Sequence, residues 1–162
     1  MIKSENTNLP INFSKKIFLI GFPIFIAFII FFKNTLFEST LILKSFGNLS
    51  MDPEIAFANK KPTYLEFYAE WCEICKEMAP EVSQLKKEFD NEINFVFLNV
   101  DNPKWDKFVK RFNVNGIPQI NIIDSNSNLL VTLTGLQEDN NLKESIKYSI
   151  KNEKNIKENS LT

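Results

Sequence analysis

Apolar side chains fall along this chain in two different patterns. Residues 17–32 read IFLIGFPIFIAFIIFF, an unbroken run with no charged or polar side chain. From residue 64 onward, short apolar blocks alternate with apolar positions at helical spacing. Residues 64–69, YLEFYA, predict a buried strand in which Glu66 is the one carboxylate. Met78, Val82, Leu85 and Phe89 then recur three to four apart, which predicts a helix directly after it. Residues 95–100, FVFLNV, form a second block apolar enough for a parallel strand covered on both faces. Trp105, Phe108, Val109 and Phe112 mark a helix whose Lys104, Lys107, Lys110 and Arg111 face water. Residues 120–123 and 129–133 are strands, and the polar turn 124–128 is short enough to make them an antiparallel hairpin. Leu142, Ile146 and Ile150 predict a last helix, capped by Asp139 or Asn140. Residues 151–162 are rich in Lys, Asn and Glu and are expected to form a frayed or disordered tail. The order β-α-β-α-β-β-α is that of an α/β domain with an early parallel crossover.

The run at 17–32 belongs to another environment. At about 1.5 Å per residue it falls slightly short of the roughly 30 Å hydrocarbon core of a bilayer. Phe13, Ser14 and the long stems of Lys15, Lys16 and Lys33 extend its reach. Gly21 and Pro23 would damage a helix in water but are tolerated in membranes. The expectation is a short tail at 1–14 and a transmembrane anchor at 15–34. A buried core helix is the poorer reading, because so small a domain cannot cover a helix apolar on every face. A cleaved signal peptide is another, but the run is long and no small-x-small site follows Phe32. Lys3, Lys15 and Lys16 precede the run while Lys33 and Lys44 follow it. That bias puts the N-terminus in the cytoplasm and the rest of the chain across the membrane. Residues 35–50 read as a linker, with Leu41, Ile42, Leu43 and Phe46 in a short strand or helical turn at the domain edge. Ser50 or Asp52 caps a short helix with Pro53 in its first turn, and the folded domain is expected at 51–150.

Composition removes several function classes. With 19 basic and 20 acidic side chains the formal net charge is −1, so no electrostatic ground exists for a nucleic-acid partner. The chain has two cysteines and no histidine. A zinc site wants about four ligands, usually cysteine or histidine, and no metal is expected. Hydrolase schemes built on Ser-His or Cys-His pairs lack their base. Cys72 and Cys75 remain, three residues apart where strand gives way to helix. Thiols at that spacing can close a short disulfide across the first helical turn, and the helix amides beside Cys72 favour its thiolate. As a mere staple such a bridge would close little chain and gain little entropy. Glu66 reads either as a surface residue of an edge strand or as a buried acid with a raised pKa, placed to exchange a proton with Cys75. Trp71 is either packing or a cover for the sulfurs that also touches a client, whereas Trp105 reads as packing. Pro118 opens a strand without an amide to donate and suits a cis bond after Ile117, whose backbone could pair with an extended peptide.

The segments WCEIC at 71–75, FLNVD at 97–101 and GIP at 116–118, with the helix proline Pro80, resemble thioredoxin over roughly residues 53–149. More narrowly, YAEWCEICKEMAP and LNVDNPKW resemble segments of the membrane-anchored thioredoxin-like proteins of cyanobacterial and chloroplast thylakoids. The resemblance implies a thioredoxin-like fold, a central mixed β-sheet flanked by helices. It implies Cys72 as the attacking cysteine, Cys75 as the resolving one and Glu66 as the carboxylate beneath the disulfide. Trp71 would shield the sulfurs, Pro118 would be the cis-proline of the substrate groove, Gly135 would lie near the substrate surface and Pro80 would kink the helix. Glu73-Ile74 replaces the usual Gly-Pro, Phe97 stands where many members carry a lysine facing the buried acid, and Tyr68 replaces a tryptophan. The implied activity is thiol–disulfide exchange, most directly reduction of client disulfides as in cytochrome assembly, on the lumenal side of a thylakoid or in a periplasm. Implied partners are disulfide-bearing clients, a membrane electron donor and the lipid bilayer, with no cofactor. A thiol oxidant or isomerase using the same dithiol, and a non-catalytic tethered adaptor, are the alternatives. Glu73 places negative charge between the thiols and no histidine stabilises a thiolate, so the expected direction is reductive.

Overall fold

The computed structural model describes residues 12–159, except for the side chains of 12–20, 31–37, 139, 156, 157 and 159. Helix α1 spans Asn12–Leu49 and a short α2 spans Pro53–Ala58. Then follow β1 (Thr63–Tyr68), α3 (Glu73–Phe89), β2 (Asn94–Asn99), a 3-10 turn (Pro103–Trp105) and α4 (Asp106–Arg111). The chain closes with β3 (Gln119–Ile123), β4 (Leu129–Thr134) and α5 (Asp139–Asn159). The residues fall into two compact units, one to Phe37 and one from Glu38 on.

In the first unit the described side chains, 21–30, are all exposed. Among the described residues no helix is long and apolar enough to cross a membrane. The expected anchor at 15–34 lies partly outside the described residues, since the side chains of 15–20 and 31–34 are not among them, and most of the expected tail at 1–14 lies outside as well.

The second unit is built on a four-stranded sheet in the order β2-β1-β3-β4. β1 runs parallel to β2 and antiparallel to β3, so the sheet is mixed. β1 is buried along its whole length, as its nearly unbroken apolar run requires of a central strand covered on both faces. Alternation along the strand sends Tyr64 and Tyr68 into the core cluster formed with α3 and α5, and Leu65 and Phe67 into the cluster with Ala56 and Phe108. The hairpin turn is set by Asp124, whose carboxylate accepts from the amides of Asn126 at 2.9 Å and Asn128 at 2.8 Å.

Two boundaries differ from the sequence reading. The expected linker 35–50 is helical through Leu49, and its Leu43 and Phe46 are 1% and 2% exposed within the domain core. The Phe46 ring stacks on Phe97 at 4.2 Å and meets Tyr68 edge-on at 6.4 Å. Two apolar positions three apart suit a helical turn as well as a loop edge, and only the aromatic surface they cover makes this segment part of the domain. The second difference is at the other end. The expected tail from 151 is the continuation of α5 to Asn159, where Glu153 is buried and Lys154 reaches Glu92 at 3.3 Å.

Candidate active site

Cys72 is the N-cap residue of α3, with extended backbone, and its sulfur accepts a hydrogen bond from the Cys75 amide at 3.2 Å. A helix N-terminus leaves amides without intrahelical partners, and Cys72 takes one of them. The two cysteines are bonded to each other across 5.2 Å between Cα atoms. Cys72 is 6% exposed and Cys75 is fully buried, so an incoming sulfur can meet only the first. Glu73, between them, is 80% exposed and pairs with Lys76 at 2.7 Å. Its negative charge is therefore partly neutralised beside Cys72, which weakens the sequence expectation that Glu73 disfavours the thiolate. Pro80 lies inside α3 with its ring exposed, where its missing amide cannot bond the carbonyl one turn earlier.

Glu66 is fully buried at the centre of β1, not on an edge strand. Its register neighbours are Phe97 on β2 and Ile120 on β3, so neither flanking strand offers it a charge. Burial raises its pKa from 4.5 to about 7, against the opposing effect of a hydrogen bond from the Tyr64 hydroxyl. That hydroxyl donates to Glu66 Oε2 at 2.8 Å, while Oε1 has no hydrogen-bond partner among the described residues. Tyr64 is itself fully buried, and its pKa is held well above the usual value by burial, then by the Glu66 charge. Strand alternation puts Glu66 on the sheet face of Tyr64 and Tyr68, the face that α3 covers with Cys75. Tyr68 fills the space beneath the α1 tail, so that a Cβ at Gly47 would come within 3.1 Å of its hydroxyl.

Trp71 is 63% exposed, and its indole N–H donates to Asp101 Oδ2 at 2.9 Å. Asp101 thus orients the ring next to the disulfide, and Ile74 adds a second exposed apolar side chain on the α3 side. The Ile117–Pro118 bond is cis. Ile117 packs against the cluster that holds both cysteines, and Gly135 donates its amide to the Pro118 carbonyl at 2.9 Å. Gly135 has φ +81, a backbone region that side chains other than glycine rarely adopt. The structure thus joins Cys72 to Cys75 and Pro118 to Gly135, and Ile117 packs against the cluster that contains both cysteines. Sequence reasoning missed Tyr64, Asp101 and Lys76. The period-two spacing of Tyr64 and Glu66 was a usable signal for the first, but a contact between residues 71 and 101 had none.

A dithiol at a helix N-terminus, beside a mixed sheet and a cis-proline loop, defines a redox protein of thioredoxin architecture. Residues 49–148 match the family described as Thioredoxin, which is more than half of the chain, and the chain belongs to that family. It is 40% identical over 103 residues to the chloroplastic thioredoxin-like protein HCF164 of Arabidopsis thaliana, covering 64% of this chain and 40% of that protein. It is 43% identical over 82 residues to the thiol:disulfide interchange protein TxlA homolog of Synechocystis, covering 51% of this chain and 46% of the relative. The chain thus spans less than half the length of these curated relatives. Among solved structures, the germline-specific thioredoxin Deadhead of Drosophila melanogaster superposes with a TM-score of 0.52 at 26% identity, over 59% of this chain and 87% of that one.

Proposed function

We propose that the protein is a membrane-anchored thiol–disulfide oxidoreductase that reduces disulfides of client proteins through Cys72 and Cys75. The observation that carries this reading is the asymmetry of the bonded pair at the N-terminus of α3, with Cys72 keeping a small exposed area and Cys75 fully sealed. In the reduced enzyme, the Cys72 thiolate attacks a client disulfide, forms a mixed disulfide and expels one client thiolate. Cys75 gives its proton to the Glu66 carboxylate, and its thiolate then attacks the Cys72 sulfur. The second client thiolate leaves, and Cys72 and Cys75 remain bonded. A membrane electron donor then returns two electrons to the pair, and the proton held by Glu66 goes back to Cys75, which restores the Cys72 thiolate and the Glu66 carboxylate. Trp71, Ile117, Pro118 and Gly135 form the surface on which the client lies, with Ile117 offering its backbone to an extended segment.

The uncharged run at 17–32 supports a single transmembrane anchor, with the N-terminus cytoplasmic and the dithiol domain on the lumenal or periplasmic side. The Arabidopsis relative is a chloroplastic protein, which supports a thylakoid setting, and cytochrome assembly is the client pathway that the resemblance implies. The pairing of Glu73 with Lys76 favours a second reading, an oxidant or isomerase working the same dithiol in reverse. Insulin reduction by the full chain, with Cys72→Ser as control, tests the activity. Turbidity that rises with the native protein and not with Cys72→Ser is expected; equal rates would overturn catalysis and leave an adaptor.

A further inference from the structure

A buried carboxylate that shuttles a proton must keep one oxygen free and must not swing away from its donor. The register neighbours of Glu66 are Phe97 on β2 and Ile120 on β3, and neither carries a charge. The hydrogen bond that the structure gives it comes instead from its own strand, two residues back. Residues i and i+2 of a strand share a face, which puts the Tyr64 phenol within reach of the Glu66 carboxyl.

We propose that Tyr64 is a positioning residue for the proton acceptor: its hydroxyl holds Glu66 Oε2 and leaves Oε1 free to take the Cys75 proton. This rests on the dithiol reading above. The proton moves from Cys75 Sγ to Glu66 Oε1, leaving a thiolate and a neutral carboxyl, while the Tyr64 proton stays on its own oxygen throughout. The tyrosine is suited to that task because its own ionisation is pushed well up by burial first and by the Glu66 charge second. It is held in place by ring packing, 5.1 Å from Phe95 and 6.1 Å from Phe97, so it needs no help from Glu66 to stay put. Tyr68 on the same strand, the N-cap Cys72 and Cys75 on α3 share this core cluster, while Glu81 on α3 acts on Tyr64 and Glu70 in the intervening turn acts on Tyr68. Farther along the chain, α5 carries the buried Glu153, and Lys44 on α1 is exposed and paired with Glu70 at 3.8 Å.

The test is the pH dependence of the Cys72/Cys75 midpoint potential, measured on the full chain in detergent micelles against dithiothreitol redox buffers, with Trp71 fluorescence as readout. The native protein should show a change of slope where Glu66 titrates, near its raised value of about 7. Tyr64→Phe keeps the ring and removes the hydroxyl that favours the charged carboxylate, so the change of slope should move up by about one pH unit, a tenfold change in the ionisation constant. Tyr64→Leu, a second side chain without a hydroxyl, should move it the same way if the phenylalanine variant folds poorly. Glu66→Gln should abolish the feature, with or without the Tyr64 hydroxyl. An unmoved slope change in Tyr64→Phe would overturn the positioning role while leaving the dithiol reading intact. Its survival in Glu66→Gln would overturn the premise about the acid, and a pair that dithiothreitol cannot reduce would overturn the dithiol reading itself.

Discussion

Replacing Glu66 by glutamine isolates the energetic consequence of placing an ionisable group at the centre of this sheet. Glu66 is fully buried, and its pKa in the folded domain is about 7 against an ordinary value of 4.5. The folded state therefore holds the proton more tightly than the unfolded chain does. Below pH 4.5 both states are protonated and the carboxyl contributes as a neutral group. As pH rises from there through about 7 that stability is progressively lost, because unfolding allows ionisation in water. The gap corresponds to about 3 kcal/mol, a large share of the roughly 5–15 kcal/mol that holds a domain together. Glutamine has nearly the same shape, can accept from the Tyr64 hydroxyl and never ionises. Glu66→Gln should therefore be about 3 kcal/mol more stable than the native domain near pH 9 and nearly equal to it near pH 4. Urea unfolding of the oxidised domain from Glu38 onward, followed by tryptophan fluorescence, measures both. A stability difference of the same size at both pH values would refute the burial argument, since only a titrating group makes it depend on pH.

Phe46→Ala should destabilise the domain by about 3–5 kcal/mol with an unchanged urea m-value, because the buried ring stacked on Phe97 leaves a cavity; a loss under about 1 kcal/mol would return residues 38–49 to the status of a linker. Full-length protein should stay with membranes after carbonate washing, its domain protected from protease on the cytoplasmic side; recovery of a soluble mature chain starting beyond Phe32 would refute the anchor. The Cys72/Cys75 potential should lie nearer thioredoxin's roughly −270 mV than the roughly −120 mV of a strong oxidant, and a value above about −180 mV would reverse the proposed direction.

The sequence by itself determined the order and type of the elements between residues 53 and 150 and the place of the dithiol among them. These are local matters: apolar period separates strand from helix, and a polar residue, Ser50 or Asp52, is at hand to cap the helix that opens at Pro53. Tertiary structure decided what local patterns leave open. Glu66 could sit on an edge or at the centre of a sheet until the order β2-β1-β3-β4 enclosed it between Phe97 and Ile120. Leu43 and Phe46 could cap a linker or enter the core until Phe97 and Tyr68 supplied an aromatic surface to cover. Trp71 found Asp101, and Glu73 found in Lys76 a partner that tempers its charge. Burial and charge pairing depend on residues distant in the chain, so they become definite only when the fold brings those residues into contact.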